Sequence, residues 1–248
     1  MSAVLLEPAM NRTGLLPRRL LLLASYAMLW SAACSREQKP VPLPPSGLSD
    51  KDAAALAEEA SESAVEPDSD GFRRLRLRDF EMFAAQPDTW SEADGVITTT
   101  GKPKGYIHSK RGYKNLTWQA EFRFLPPEDL SKADQANTGF MLCIQEPHKV
   151  WPRSLEVQGK YVEMGQIKSN GGVPALSIKD DPAARESARK PVGEWNAIEI
   201  VVKDGAVSAT LNGKLICTSE PGEVRDGKIG LQAENFGVEF RNVRIREE

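Results

Sequence analysis

The chain has 248 residues, a formal net charge of −3, and 27% charged side chains with both signs mixed along its length. A surface for nucleic-acid phosphates shows itself as a basic patch or stripe, so this balance excludes a nucleic-acid partner. Three cysteines without a CxxC pair and two histidines, His108 and His148, exclude a zinc-finger type of cluster.

The first 33 residues read as an export signal. Arg18 and Arg19 precede an apolar run from Leu20 to Trp30, and small residues Ser31, Ala32 and Ala33 follow. The run is short of the roughly 20 residues that a membrane-spanning helix needs. Cys34 comes directly after the small residues, as in a bacterial lipobox, although Ser31 stands where leucine is usual. The expectation is a lipid at Cys34 and an exported lipoprotein, membrane-anchored in the periplasm or on the cell surface. An ordinary secretory signal with an incidental cysteine is the plainer alternative, and either Met1 or Met10 serves as a start.

Residues 34–70 read as a flexible tether. "KPVPLPPSG" favours extended polyproline backbone. The acidic stretch that follows has too few large apolar side chains to offset its ordering entropy.

From about Phe72 the pattern becomes β. Asp94-Gly95, Asp204-Gly205 and Asn212-Gly213 are two-residue hairpin signals between strand-like runs. "NLTWQAEFRF" places Trp118, Ala120, Phe122 and Phe124 on one face and Gln119, Glu121 and Arg123 on the other. "NTGFMLCIQE" sets Phe140, Leu142 and Ile144 against Gly139, Met141 and Cys143. "RSLEVQ" sets Leu155 and Val157 against Glu156 and Gln158, and "GKIGLQAENFGVEFRNVRIRE" supplies two closing strands. "DPAARESARKP" reads as a short helix or a surface loop. Repeated short strands with turn residues between them predict an all-β sandwich over residues 71–248. Cys143 and Cys217 sit in apolar strands and read as buried free thiols, with one disulfide as the alternative.

The polar sides of these strands form a candidate site if the strands are neighbours. They carry Glu121, Arg123, Glu156, Gln158, Gln232 and Glu234, with Asn137 just before a strand and Trp151 close in sequence. Carboxylates, amides and guanidinium groups suit sugar hydroxyls, and an aromatic ring can stack on a sugar. Cross-strand charge pairs on any exposed sheet would look the same.

Four segments together resemble a known family: "DGVITTTGKPKGYIHSKRGYKNLTWQAEFRF", "NTGFMLCIQEPHKVWPRSLEVQ", "GEWNAIEIVVKDGAVSATLNGK" and "GKIGLQAENFGVEFRNVRIRE". In this order, over about Trp90 to Ile245, they are similar to the 3-keto-disaccharide hydrolase domain family. That resemblance implies a concanavalin A-like jelly-roll sandwich and a carbohydrate partner. Val150 to Gln158 match the family form with "VWP.S(I/L)E.Q". The segment after it, with Gly159-Lys160-Tyr161 and Met164 to Ile167, departs from the commoner form, so the resemblance leaves the substrate open.

The resemblance also implies a reaction. A ketone at C3 of a glycoside acidifies the C2 proton, a base removes it, the C1 substituent is eliminated, and water then adds. The expected catalytic set is Glu156 as base or metal ligand, Arg123 at the enolate, and His108 as the histidine placed to titrate near neutral pH. Gln158, Asn137, Glu121, Trp151, Gln232 and Glu234 form the expected substrate-binding set. No cofactor is assigned, and a divalent cation has room where Glu121, Glu156 and Glu234 converge, without a diagnostic ligand spacing. The same face also fits a non-catalytic carbohydrate-binding module. Sugar, linkage, metal and oligomeric state are left open.

Overall fold

The computed structural model describes residues 67–127 and 129–248. The expected signal, the lipidation site Cys34 and most of the expected tether lie outside the described residues. Among the described residues no helix is long and apolar enough to cross a membrane.

Two antiparallel sheets stack face to face. One holds, in spatial order, β10 (Ile178–Asp180), β13 (Lys214–Ser219), β12 (Ala206–Leu211), β11 (Asn196–Lys203), β6 (Leu116–Phe124), β15 (Val238–Glu247), β4 (Val96–Thr99) and β3 (Trp90–Ala93). The two-residue β1 (Arg73–Arg74) joins β15 as a ninth strand. The other sheet runs β2 (Phe80–Phe83), β5 (Gly105–Ser109), β14 (Lys228–Ala233), β7 (Gly139–Ile144), β8 (Ser154–Gln158) and β9 (Ile167–Asn170).

The three hairpin signals fold as their residues require. Asp94-Gly95, Asp204-Gly205 and Asn212-Gly213 all take positive φ at both positions, the geometry that matches the twist of the flanking strands. They join β3 to β4, β11 to β12 and β12 to β13. The "DPAARESARKP" segment contains one short helix, α1 (Pro182–Ala188). Its first turn is capped by the Asp181 side chain, which accepts from the Ala184 amide at 2.8 Å.

Alternation places the core between the sheets. Trp118, Phe122 and Phe240 come from the nine-stranded sheet, and Phe140, Leu155, Val157 and Leu231 from the other. Phe140 meets Trp118, Phe122 and Phe240 edge to face, at 5.4, 5.2 and 6.0 Å between ring centroids. Each such pair adds about 0.5–1.5 kcal/mol beyond burial, so this one ring ties β7 to β6 and β15. Cys143 and Cys217 are both buried free thiols.

Alternation fails at one place that matters for the site. Cys143 has φ 52°, and the pairing of β7 with β14 shifts there. Three steps along β7, from Met141 to Ile144, are matched by two along β14, from Gly230 to Lys228. This bulge turns Cys143 into the main core and sends Ile144 to the outer face, against Tyr106 and Met141.

Candidate carbohydrate site

The outer face of the six-stranded sheet gathers the unusual chemistry. Register decides who meets whom. Glu156 on β8 stands between Met141 on β7 and Lys168 on β9, and Gln158 stands opposite Gly139. Leu231 pairs with Phe140, which brings Gln232 beside Gly139 on the other flank. A Cβ added at Gly139 would lie 2.2 Å from Glu156 Oε1 and 2.4 Å from Gln232 Oε1. The missing side chain is therefore the space into which the carboxylate and the amide fold.

Glu156 is 3% exposed and Gln232 2%. Asn170 Nδ2 donates to Glu156 Oε2 at 2.6 Å. Glu156 Oε1, both polar atoms of the Gln232 amide, and Asn137 Oδ1 are buried without a hydrogen-bond partner. Unpaired buried polar atoms are costly, so this cluster departs from an ordinary sheet face. Burial pushes the Glu156 carboxyl up to about 7; Asn170 opposes that, the Glu234 carboxylate adds to it, and Lys168 and the Gln232 amide oppose it. Lys168 is itself paired with Glu163. Glu234 pairs with Lys104 at 3.4 Å, and Gln158 Oε1 accepts from the Lys160 amide at 2.9 Å.

A second group occupies the far side of the same face. The rings of His108 and His148 stack at 4.1 Å and 11°. Tyr106 Oη lies 2.9 Å from His148 Nδ1, and His148 Nε2 lies 2.8 Å from Glu146 Oε1. The carboxylate needs a donor, so Nε2 carries the proton and Nδ1 accepts from the phenol. Burial holds His108 below the usual histidine range, and burial with the Glu146 charge pushes Tyr106 up to about 12. His108 lies in the cross-sheet row of Gly230, Met141 and Glu156. Three strand spacings, about 14 Å, separate its backbone from that of Glu156. Trp151 is exposed in the β7–β8 loop, three residues past His148.

Two expected members are elsewhere. Glu121 and Arg123 lie on β6, in the nine-stranded sheet, with side chains on its outer face. The core and the whole sandwich separate them from Glu156. Alternation showed that their side chains leave the core, but not which of two sheets they leave it from. Arg123 Nε donates to Glu239 at 2.6 Å and its guanidinium lies over Trp195. Glu121 is held by Arg241 and Asn242. Arg241 covers the same indole, so Trp195 is a partly buried spacer between two arginines. Without Glu121 the three carboxylates that left room for a divalent cation do not converge. Among the described residues no group of three or more His, Cys, Asp or Glu side chains is arranged to hold a metal.

Asn137, Gln158, Gln232, Glu234 and His108 do share the outer face with Glu156. Sequence reasoning missed Asn170, Lys168, Tyr106 and His148. Asn170 and Lys168 sit on a four-residue strand too short to show a period, and His148 reads as loop surface because only the fold turns that loop back over β5.

The model of the 3-keto-alpha-glucoside-1,2-lyase-like domain matches residues 76–246. The chain belongs to this family. The matched span includes β2 through nearly all of β15, and with them both sheets and the Glu156 cluster. Two crystal structures from Parabacteroides distasonis ATCC 8503, each named "putative glycosyl hydrolase", share the fold. One is 21% identical over 71% of this chain and 99% of its own, with a TM-score of 0.53. The other is 19% identical over 81% of this chain and 98% of its own, also at 0.53. No match was found among curated proteins.

Proposed function

We propose that this 3-keto-alpha-glucoside-1,2-lyase-like domain cleaves 3-keto-glycosides on the outer face of its six-stranded sheet, with Glu156 as the base. The observation that carries the reading is the free Oε1 of a buried carboxyl lifted to about 7. A group titrating near the working pH takes up and returns a proton with least penalty on either side.

The C3 ketone of the substrate makes the C2 proton acidic. Glu156 Oε1 takes that proton, the electron pair forms the C1–C2 double bond, and the C1–O bond breaks. The leaving oxygen gains a proton, so the products are an enone and an alcohol or sugar. Addition of water to the enone completes a net hydrolysis. Asn170 holds the other carboxylate oxygen, which leaves Oε1 to take the proton. Gln158 and Asn137 supply amides for sugar hydroxyls. The leaving sugar extends toward His148, the partly exposed member of a ring cluster in which Tyr106 and His108 are buried. The export signal and Cys34 support a place outside the cytoplasm, tethered by lipid, where glycosides are met.

The test compares a 3-keto-disaccharide with its unoxidised parent, using the full-length chain. The expected result is release of free sugar from the keto form alone. Cleavage of the parent at a similar rate would contradict elimination chemistry. Binding of both without turnover would make this face a carbohydrate-binding surface instead.

A further inference from the structure

Two acceptor oxygens crowd one point of the site. Glu156 Oε1 and Gln232 Oε1 both press on the space above Gly139, at 2.2 and 2.4 Å from the position a Cβ would take. Neither has a hydrogen-bond partner, and Gln232 Nε2 has none either. The amide therefore faces the carboxyl across Gly139, and its oxygen is the atom that would accept from a protonated Glu156. Turned half a revolution about its last bond, the same amide would present Nε2 to an ionised carboxylate. No hydrogen bond has to break for that turn.

We propose that Gln232 is a positioning residue for Glu156, an amide that turns above Gly139 to follow the proton. Its Nε2 donates to the ionised Oε1, and its Oε1 accepts from the protonated carboxyl. The inference rests on Glu156 being the base at C2. It adds that Glu156 is never left without a partner in either half of the cycle, and that Gly139 is required because any side chain there would fill the space in which the two groups meet. Gly139 lies in regular strand β7 with no positive φ, so alanine is admitted by the backbone and obstructs only the pair.

The experiment is a carbon-13 NMR titration of glutamate carboxyl carbons in the full-length chain, with Glu156 assigned by the signal lost in Glu156→Gln. A hydrogen bond to a charged group is stronger than one to a neutral group. Gln232→Leu therefore removes more from the ionised form, and Glu156 should titrate higher by about one unit. The pH profile of C2 proton exchange on a 3-keto-glycoside should move up with it. The exchange rate at pH 7 should fall about fivefold, as the ionised fraction does, with KM within about twofold. Gly139→Ala keeps every polar group and should give the same upward shift, so it carries the test if Gln232→Leu does not fold. A Glu156 titration unchanged or lowered in the folded variants overturns the inference. A raised titration together with full turnover by Glu156→Gln upholds the pairing and overturns the base assignment beneath it.

Discussion

Asn170 Nδ2 donates to Glu156 Oε2 at 2.6 Å, which leaves the opposite oxygen, Oε1, free and facing Gln232 across Gly139. A carboxyl fixed on one oxygen and open on the other is oriented like a tool held by its handle. Its environment also sets its charge. The carboxyl is lifted from 4.5 to about 7 in the fold, mainly by burial.

That lift makes a stability prediction. Between pH 4.5 and about 7 the folded chain keeps a proton on Glu156 that the unfolded chain has lost. Stability therefore falls as pH rises through this window, by about 3 kcal/mol in all. Glu156→Gln removes the ionisation and so removes this fall. Thermal unfolding should find the variant more stable than the parent at pH 8 and close to it at pH 4. A variant less stable at pH 8 would show that the buried charge is not strained.

Arg123 is predicted to be irrelevant to turnover. It pairs with Glu239 and covers Trp195 on the opposite sheet. Its side chain is 37% exposed, so the ion pair contributes about 0–1 kcal/mol. Arg123→Ala should leave kcat/KM within about twofold and lower the melting temperature slightly. A large loss of activity at unchanged stability would place chemistry on the nine-stranded sheet.

His148 is predicted to act on the leaving sugar. His148 is held by Tyr106 and Glu146 and stacks on His108, about three strands from Glu156. His148→Ala should raise KM for a 3-keto-disaccharide by roughly fivefold, the equivalent of about one hydrogen bond. For a 3-keto-glucoside with a small alcohol leaving group, KM should change much less. Equal effects on both substrates would move His148 to the keto-sugar end.

Much of this was legible in the residues. The period of two in "LTWQAEFRF" and "SLEVQ", and the Asp-Gly and Asn-Gly turns, point to a sandwich with Leu155 and Val157 inside and Glu156 outside. What alternation cannot carry is the identity of the sheet. Glu121 and Glu156 show the same pattern, and only the strand order, with β6 in one sheet and β8 in the other, separates them. The role of Gly139 was equally hidden, because a glycine in a strand reports nothing about which side chains fold over it. The bulge at Cys143 was hidden too, since an extra residue reverses the faces beyond it without changing composition.

The central claim is that Glu156 removes the C2 proton of a 3-keto-glycoside. It is tested most directly by following exchange of that proton with deuterated water by NMR, in the full-length parent chain and in Glu156→Gln. The account predicts exchange in the parent that accelerates as pH rises through about 7, and a loss of at least about a hundredfold in the variant. Exchange at the parental rate in a folded Glu156→Gln chain would contradict it.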